Sequence, residues 1–230
     1  MILELFFASF AVCGLAILIT AIYAFAKNPD YFIHHKEYKN KGMAGEQNLY
    51  LYLRRFGVPK NQIFRNVYIA KNSGDGTAEI DMIVLSRKAI FVIETKNYSG
   101  KIYGDTKYEK WIQYAPSGKK SYFYSPILQN KNHVKVVREF LMKRENLRII
   151  PVEIATTNAK WEVKNLAEND NFIANGEFAK RFREIYDGLD DMKIGRNELV
   201  EIREKFAENS RPNEKIRDEH IEKIKEKYGK

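Results

Sequence analysis

Apolar and polar positions divide the chain into segments of different period. Positions 5–26 form 22 residues without a charge, and about 20 apolar residues are enough to cross a bilayer as a helix. A polar stretch over 28–40 follows, with Tyr31, Phe32 and Tyr38 set in it. From 42 to 56, Leu49, Leu53 and Phe56 recur at helical spacing. Positions 63–70 read as a strand. The loop 72–76, rich in Asn, Ser and Gly, leads to two runs dense in Ile, Val and Phe, 78–85 and 89–97, which form a hairpin through Ser86-Arg87-Lys88. Shorter strands are expected at 101–103, 111–114 and 121–124. A second amphipathic helix covers 126–144, with Leu128, Val134, Val137, Phe140 and Leu141 as its buried stripe. A strand at 148–156, a short one at 161–163 and a helix at 176–186 complete the pattern, and the fold is expected to end near Leu189. Beyond it, Leu199, Ile202 and Phe206 mark one amphipathic helix and Ile216, Ile221, Ile224 and Tyr228 a weaker one. Whether these pack on the body or mediate self-association is left open by the pattern.

Composition narrows the classes. The single cysteine, Cys13, excludes an internal disulfide framework, and four scattered histidines give no zinc-ligand spacing. The formal net charge is +9. Residues 27–148 hold 23 Lys/Arg against 11 Asp/Glu, so the basic excess falls on the central segment. That distribution suits a nucleic-acid binder, and also a body held near anionic lipid. The last forty residues carry 11 basic and 10 acidic side chains, which usually means solvated helix surface.

No Lys or Arg precedes the apolar run 5–26, whereas Lys27, Lys36, Lys39 and Lys41 follow it. The positive-inside bias therefore predicts a single-pass anchor in the cell membrane with the C-terminal body cytoplasmic. A signal peptide ending at Ala24-Phe25-Ala26 would lack a basic start, and its apolar core would be too long. A buried core helix would have to be apolar all round at the extreme terminus.

The hairpin 78–97 carries the candidate chemistry. Asp81 is followed, after twelve residues, by Glu94-Thr95-Lys96. Side chains alternate along a strand, so Glu94 and Lys96 share a face with Ile90 and Val92, where charge is costly to bury without a partner. Paired strands lie about 4.8 Å apart, close enough to bring Asp81 near Glu94. A divalent cation would relieve the repulsion of two such carboxylates, and an all-oxygen donor set favours Mg²⁺ or Mn²⁺ over zinc. A carboxylate–lysine pair on a solvated sheet face fits these three residues equally well. Glu46 near the first helix start is, by itself, a first-turn acid favoured by the helix dipole. Glu79 shares the face of Asp81 and could support a metal, pair with Lys96 or stay solvated.

The ordered set is more specific than the triplet. Gly42-Met43-Ala44-Gly45-Glu46, Glu79-Ile80-Asp81, Phe91-Val92-Ile93-Glu94-Thr95-Lys96-Asn97, Gly100, Gly104, Trp111, Pro126-Ile127-Leu128-Gln129-Asn130 and His133 together resemble the NERD (nuclease-related) domain of the PD-(D/E)xK nuclease-like superfamily, over roughly 41–159. The resemblance implies an α/β fold: a restriction-endonuclease-like mixed sheet flanked by helices, ordered helix, three-strand meander, helix, strand. It implies Asp81, Glu94, Lys96, Glu46 and Gln129 as catalytic residues. Asp81, Glu94, Glu46 and the Thr95 carbonyl would be the ligands of Mg²⁺ or Mn²⁺. The substrate would be DNA, or RNA.

Lys101, Lys131, Lys135 and Arg138 are the candidate nucleic-acid contacts. Aromatics interleave with lysines over 101–124, a composition that serves either base stacking or simple core packing. Five divisions result: anchor 1–27, connector 28–40, nuclease-like core 41–160, its C-terminal part 161–190, and a charged helical tail 191–230. The reading is a membrane-anchored, metal-dependent nuclease acting on DNA. Its competitors are a catalytically silent, membrane-tethered nucleic-acid-binding or regulatory module, and a lipid-surface scaffold built on the basic neck and the C-terminal helices. The Gly-rich lysine loop of an ATP-driven motor is missing from the sequence.

Overall fold

A computed structural model describes residues 41–74, 76–155, 159–167, 170–174, 176–210 and 222. The anchor expected at 5–26, the connector 28–40 and, apart from the helical, exposed Glu222, the weaker helix expected around 216–228 lie outside the described residues. Among the described residues no helix is long and apolar enough to cross a membrane.

The apolar periods become helix α1 (Lys41–Arg55), strands β1 (Ile63–Ala70), β2 (Thr77–Leu85) and β3 (Ile90–Lys96), then β4 (Gly100–Asp105), β5 (Lys110–Tyr114) and β6 (Lys120–Tyr124). Helix α2 (Pro126–Phe140), strands β7 (Ile149–Ala155), β8 (Ala159–Lys164) and β9 (Phe172–Ile173), and helices α3 (Phe178–Asp187) and α4 (Arg196–Asn209) follow. The fold is mixed α/β, and the expected order of helix, antiparallel meander, helix and strand is present.

The strands form two mixed sheets, where the sequence suggests one. The first has the order β1-β2-β3-β7-β9 and the second β6-β5-β4-β8. Strands β3 and β7 run parallel in the first sheet, and their continuations β4 and β8 run parallel in the second. Gly100 stands at the crossing with φ +87°, and a Cβ there would lie 2.0 Å from the Tyr114 carbonyl oxygen. Only glycine fits both that backbone angle and that approach.

The first sheet is covered on both faces. Val67, Ile69, Ile80, Val92 and Leu85 pack with Val137 and Leu141 of the α2 region and with Ile202 and Phe206 of α4. Met82, Val84, Phe91 and Ile93 pack on the other side with Leu49 and Leu53 of α1 and Phe178 and Phe182 of α3. The fold therefore does not end near Leu189. Met192 and Ile194 join the core, and Phe206 sets its ring 5.5 Å from Phe64 and 6.0 Å from Phe140. Helix α2 stops at Phe140 rather than Arg144, because Met142 and Lys143 take left-handed φ angles of 58° and 52°.

One irregularity places the site. In both β1 and β2 the alternation of faces breaks at one level. Phe64 and Val67, three apart, fall in the same cluster, as do Ile80 and Ile83. Between them Asn66 has φ +49°, and Asn66 and Asp81 are missing from an otherwise continuous register. Asp81 thus sits at a kink rather than in a regular ladder.

Candidate active site

The β2–β3 pairing ends at Met82 opposite Ile93, so Asp81 and Glu94 are the first residues past the ladder. There the Asp81 carboxylate takes over the pairing. Its Oδ2 accepts from the Thr95 amide at 2.8 Å and from the Thr95 hydroxyl at 2.9 Å. At the next residue, Lys96 Nζ donates to Glu94 Oε1 at 2.5 Å and to Gln129 Oε1 at 3.0 Å. His133 Nδ1 lies 3.3 Å from Glu94 Oε2. The i, i+4 spacing of Gln129 and His133 puts both on the face of α2 that meets β3. Ser125 begins that helix by accepting from the Leu128 amide, with Pro126 in its first turn.

Helix α1 brings Glu46. Glu46 lies in the second turn of α1 rather than the first, because the helix is already formed at Lys41 and has no acid in its first turn. Gly45 lets the helix close on the end of β3, since a Cβ there would come 3.1 Å from the Asn97 side chain. Glu46 is half-buried. Burial raises its pKa; Arg65 lowers it, and Glu79 and Glu94 raise it again. Arg65 also donates to Gln47 at 2.8 Å and lies over the Tyr50 ring, so a guanidinium belongs to the neighbourhood of the site.

The charges are strongly coupled. Burial pushes Asp81 up to about 8, Glu94 adds to the rise, and Lys96 and the Thr95 amide oppose it. Burial alone would raise Glu94 as well, but the Lys96 ammonium and His133 outweigh it and hold Glu94 below the usual carboxylate range. Burial would lower Lys96, yet Glu94 and Asp81 keep it above its ordinary value. The site therefore holds one ammonium beside an ionised Glu94, while burial and that neighbouring charge favour the protonated form of Asp81.

Could these residues hold a hard cation? Glu94 Oε2 is buried and, despite the nearby imidazole, makes no hydrogen bond. With Asp81, Glu46 and strand carbonyls it offers oxygen donors only, which fits Mg²⁺ or Mn²⁺. Among the described residues no three Asp, Glu, His or Cys side chains already stand as a closed metal-ligand group. The donor chemistry fits, while Lys96 and the Thr95 amide and hydroxyl currently engage the two principal carboxylates.

The structure thus gathers Asp81, Glu94, Thr95, Lys96 and Gln129, with Glu46 electrostatically coupled to them. It does not gather the four candidate nucleic-acid contacts. Lys101 is exposed on β4, whereas Lys131, Lys135 and Arg138 line the exposed side of α2, with Lys131 3.6 Å from Asp170.

Two buried polar residues take roles the sequence did not assign them, although Asn130 belongs to the ordered set that carries the resemblance. Asn130 is fully buried and its Nδ2 donates to the carbonyls of Val92 and Val152 and to Glu153 Oε1. Glu153 stands opposite Glu94 in the parallel β3–β7 pair, and burial pushes its carboxyl up to about 7. Asn130 next to Gln129 within an apolar-striped helix was the available signal, since a buried amide must find partners.

Residues 41–157 match the family of nuclease-related domains (NERD), just over half of the chain. A protein of Bacillus anthracis described as uncharacterized is 27% identical over 195 residues, covering 84% of this chain and 87% of its own length. No solved structure matches.

Proposed function

Because the chain belongs to the nuclease-related domain family, we propose that it hydrolyses phosphodiester bonds in DNA, with Mg²⁺ or Mn²⁺ bound at the Asp81–Glu94 pair. The observation that carries the reading is the Lys96 ammonium pinned between Glu94 and Gln129, one residue from the Thr95–Asp81 contact. Asp81, Glu94, Glu46 and the Thr95 carbonyl would hold the cation. When bound, it supplies Lewis-acid polarisation of a phosphoryl oxygen and a water of lowered pKa.

The chain's own residues do the rest. Lys96 keeps its proton, because Glu94 and Asp81 favour the charged form, so it serves as fixed positive charge toward the scissile phosphate and not as a base. Gln129 orients that ammonium from a second element. His133 limits the freedom of the Glu94 carboxylate from one turn further along α2. The apolar run 5–26 would tether this body to the cytoplasmic face of the cell membrane.

The test compares the full-length chain with Glu94→Ala and Lys96→Ala on labelled DNA in Mg²⁺. Each variant is expected to lose roughly a hundredfold or more of the cleavage rate, with an unchanged circular dichroism spectrum. Full activity in both variants would overturn the assignment. One observation favours a second reading, a catalytically silent nucleic-acid-binding module: among the described residues the acidic side chains do not stand as a closed ligand group. That module would bind DNA equally in chelator and never cut it.

A further inference from the structure

The second sheet has one buried face and one open face. Ile102, Trp111 and Trp161 point inward, where Ile127 at the start of α2, Tyr98, Phe123 and Phe172 complete a small core. The register fixes what alternates to the outside. Lys160, Lys101, Tyr114 and Lys120 stand in one row across β8, β4, β5 and β6. Glu162, Tyr103, Ile112 and Tyr122 form the next row, and Tyr124 stands opposite Lys110 beyond it.

These tyrosines are among the most exposed large side chains described, from 38% for Tyr103 to 60% for Tyr122. Tyr103 and Tyr114 meet edge to face at 5.8 Å, and Lys120 Nζ sits 5.1 Å from the Tyr122 ring centre and 5.8 Å from that of Tyr114. The rings are thus held in place by their neighbours while their surface stays open. Five lysines, Lys101, Lys110, Lys120, Lys160 and Lys164, share this face with two acids, Asp105 and Glu162.

We propose that this outer face is a stacking platform for single-stranded nucleic acid, with bases on Tyr103, Tyr114 and Tyr122 and phosphates met by Lys101 and Lys120, while Lys160 pairs with Glu162 at 3.0 Å at the side of the face. Flat rings interleaved with cations match a polyanion whose bases are uncovered, and a duplex hides those bases. The platform begins close to the candidate active site. Lys101 follows Lys96 by five residues, a span of at most about 18 Å. This inference rests on the reading that the substrate is a nucleic acid.

The test uses the full-length chain in chelator, so that nothing is cut. Fluorescence anisotropy with a labelled single-stranded oligonucleotide and the matching duplex compares wild type with two triple variants. One is Tyr103→Thr/Tyr114→Thr/Tyr122→Thr, whose residues still favour strands, and the other Tyr103→Phe/Tyr114→Phe/Tyr122→Phe, which keeps the rings. Wild type is expected to prefer the single strand. The threonine variant should weaken that binding at least tenfold, and the phenylalanine variant by less than threefold. If wild type binds neither nucleic acid, the nucleic-acid reading and the platform fall together. If wild type binds and the folded threonine variant binds equally well, only the platform falls. Loss of binding to anionic phosphatidylglycerol vesicles with oligonucleotide binding intact would reassign the face to lipid and overturn the proposal.

Discussion

Glu153 is the clearest case of a single residue whose environment makes a measurable demand. It is buried where Asn130 docks on β3 and β7, and burial holds its carboxyl near 7 against an ordinary 4.5, with Asn130 opposing the rise. Between those two values the folded state keeps a proton that the unfolded chain has released. Stability therefore falls as pH rises from about 4.5 through about 7, and the cost is complete above that. Glu153→Gln removes this dependence. The variant is expected to gain on the order of 2–3 kcal/mol over wild type between pH 4 and pH 8, read from urea midpoints; parallel pH curves would contradict it. Asp81, Glu94 and Lys96 were legible in the sequence because their charge interrupts apolar strands. Glu153 was not, because a lone acid alternating with Val152 and Ile154 looks like an ordinary outward position, and only the packing of α2 against β7 buries it.

Among the elements, α4 carries the most instructive difference between pattern and packing. Its surface is mixed charge, and of its fourteen residues only Ile202 and Phe206 are buried. The helix itself was readable from the spacing of Leu199, Ile202 and Phe206. Its docking partner was not, since the receiving face on β1 belongs to a strand more than a hundred residues earlier. Arg144 helps to fix the contact through Glu198 at 3.3 Å and Glu201 at 2.9 Å. Those partly exposed pairs contribute little, and the apolar anchor contributes most. Phe206→Ala is accordingly expected to cost about 3–5 kcal/mol in urea unfolding, although residue 206 lies outside the matched family segment 41–157. A loss below about 1 kcal/mol would mean that α4 does not share the core. Strand β9 escaped sequence reading for a simpler reason: two residues, Phe172 and Ile173, show no period.

At the scale of the molecule, the chain makes a helix-covered sheet and then turns the same two parallel neighbours into a second, half-open sheet. Gly100 is the visible sequence trace of that turn, but a glycine alone does not say which carbonyl it must pass. The kink at Asn66 and Asp81 likewise depends on two strands breaking step together, which no single strand pattern reports. The run 5–26 adds a prediction about the whole chain. It should stay with the membrane pellet after alkaline carbonate extraction, and release into the supernatant would contradict the anchor.

The central claim is that the Asp81–Glu94–Lys96 arrangement is a metal-dependent phosphodiesterase site. The most direct measurement is cleavage of labelled single-stranded and double-stranded DNA by the full-length wild-type chain in Mg²⁺, in Mn²⁺ and in chelator. The account predicts cutting with either cation and none in chelator. Cutting at the same rate in chelator, or intact DNA under all three conditions despite tight binding, would contradict it.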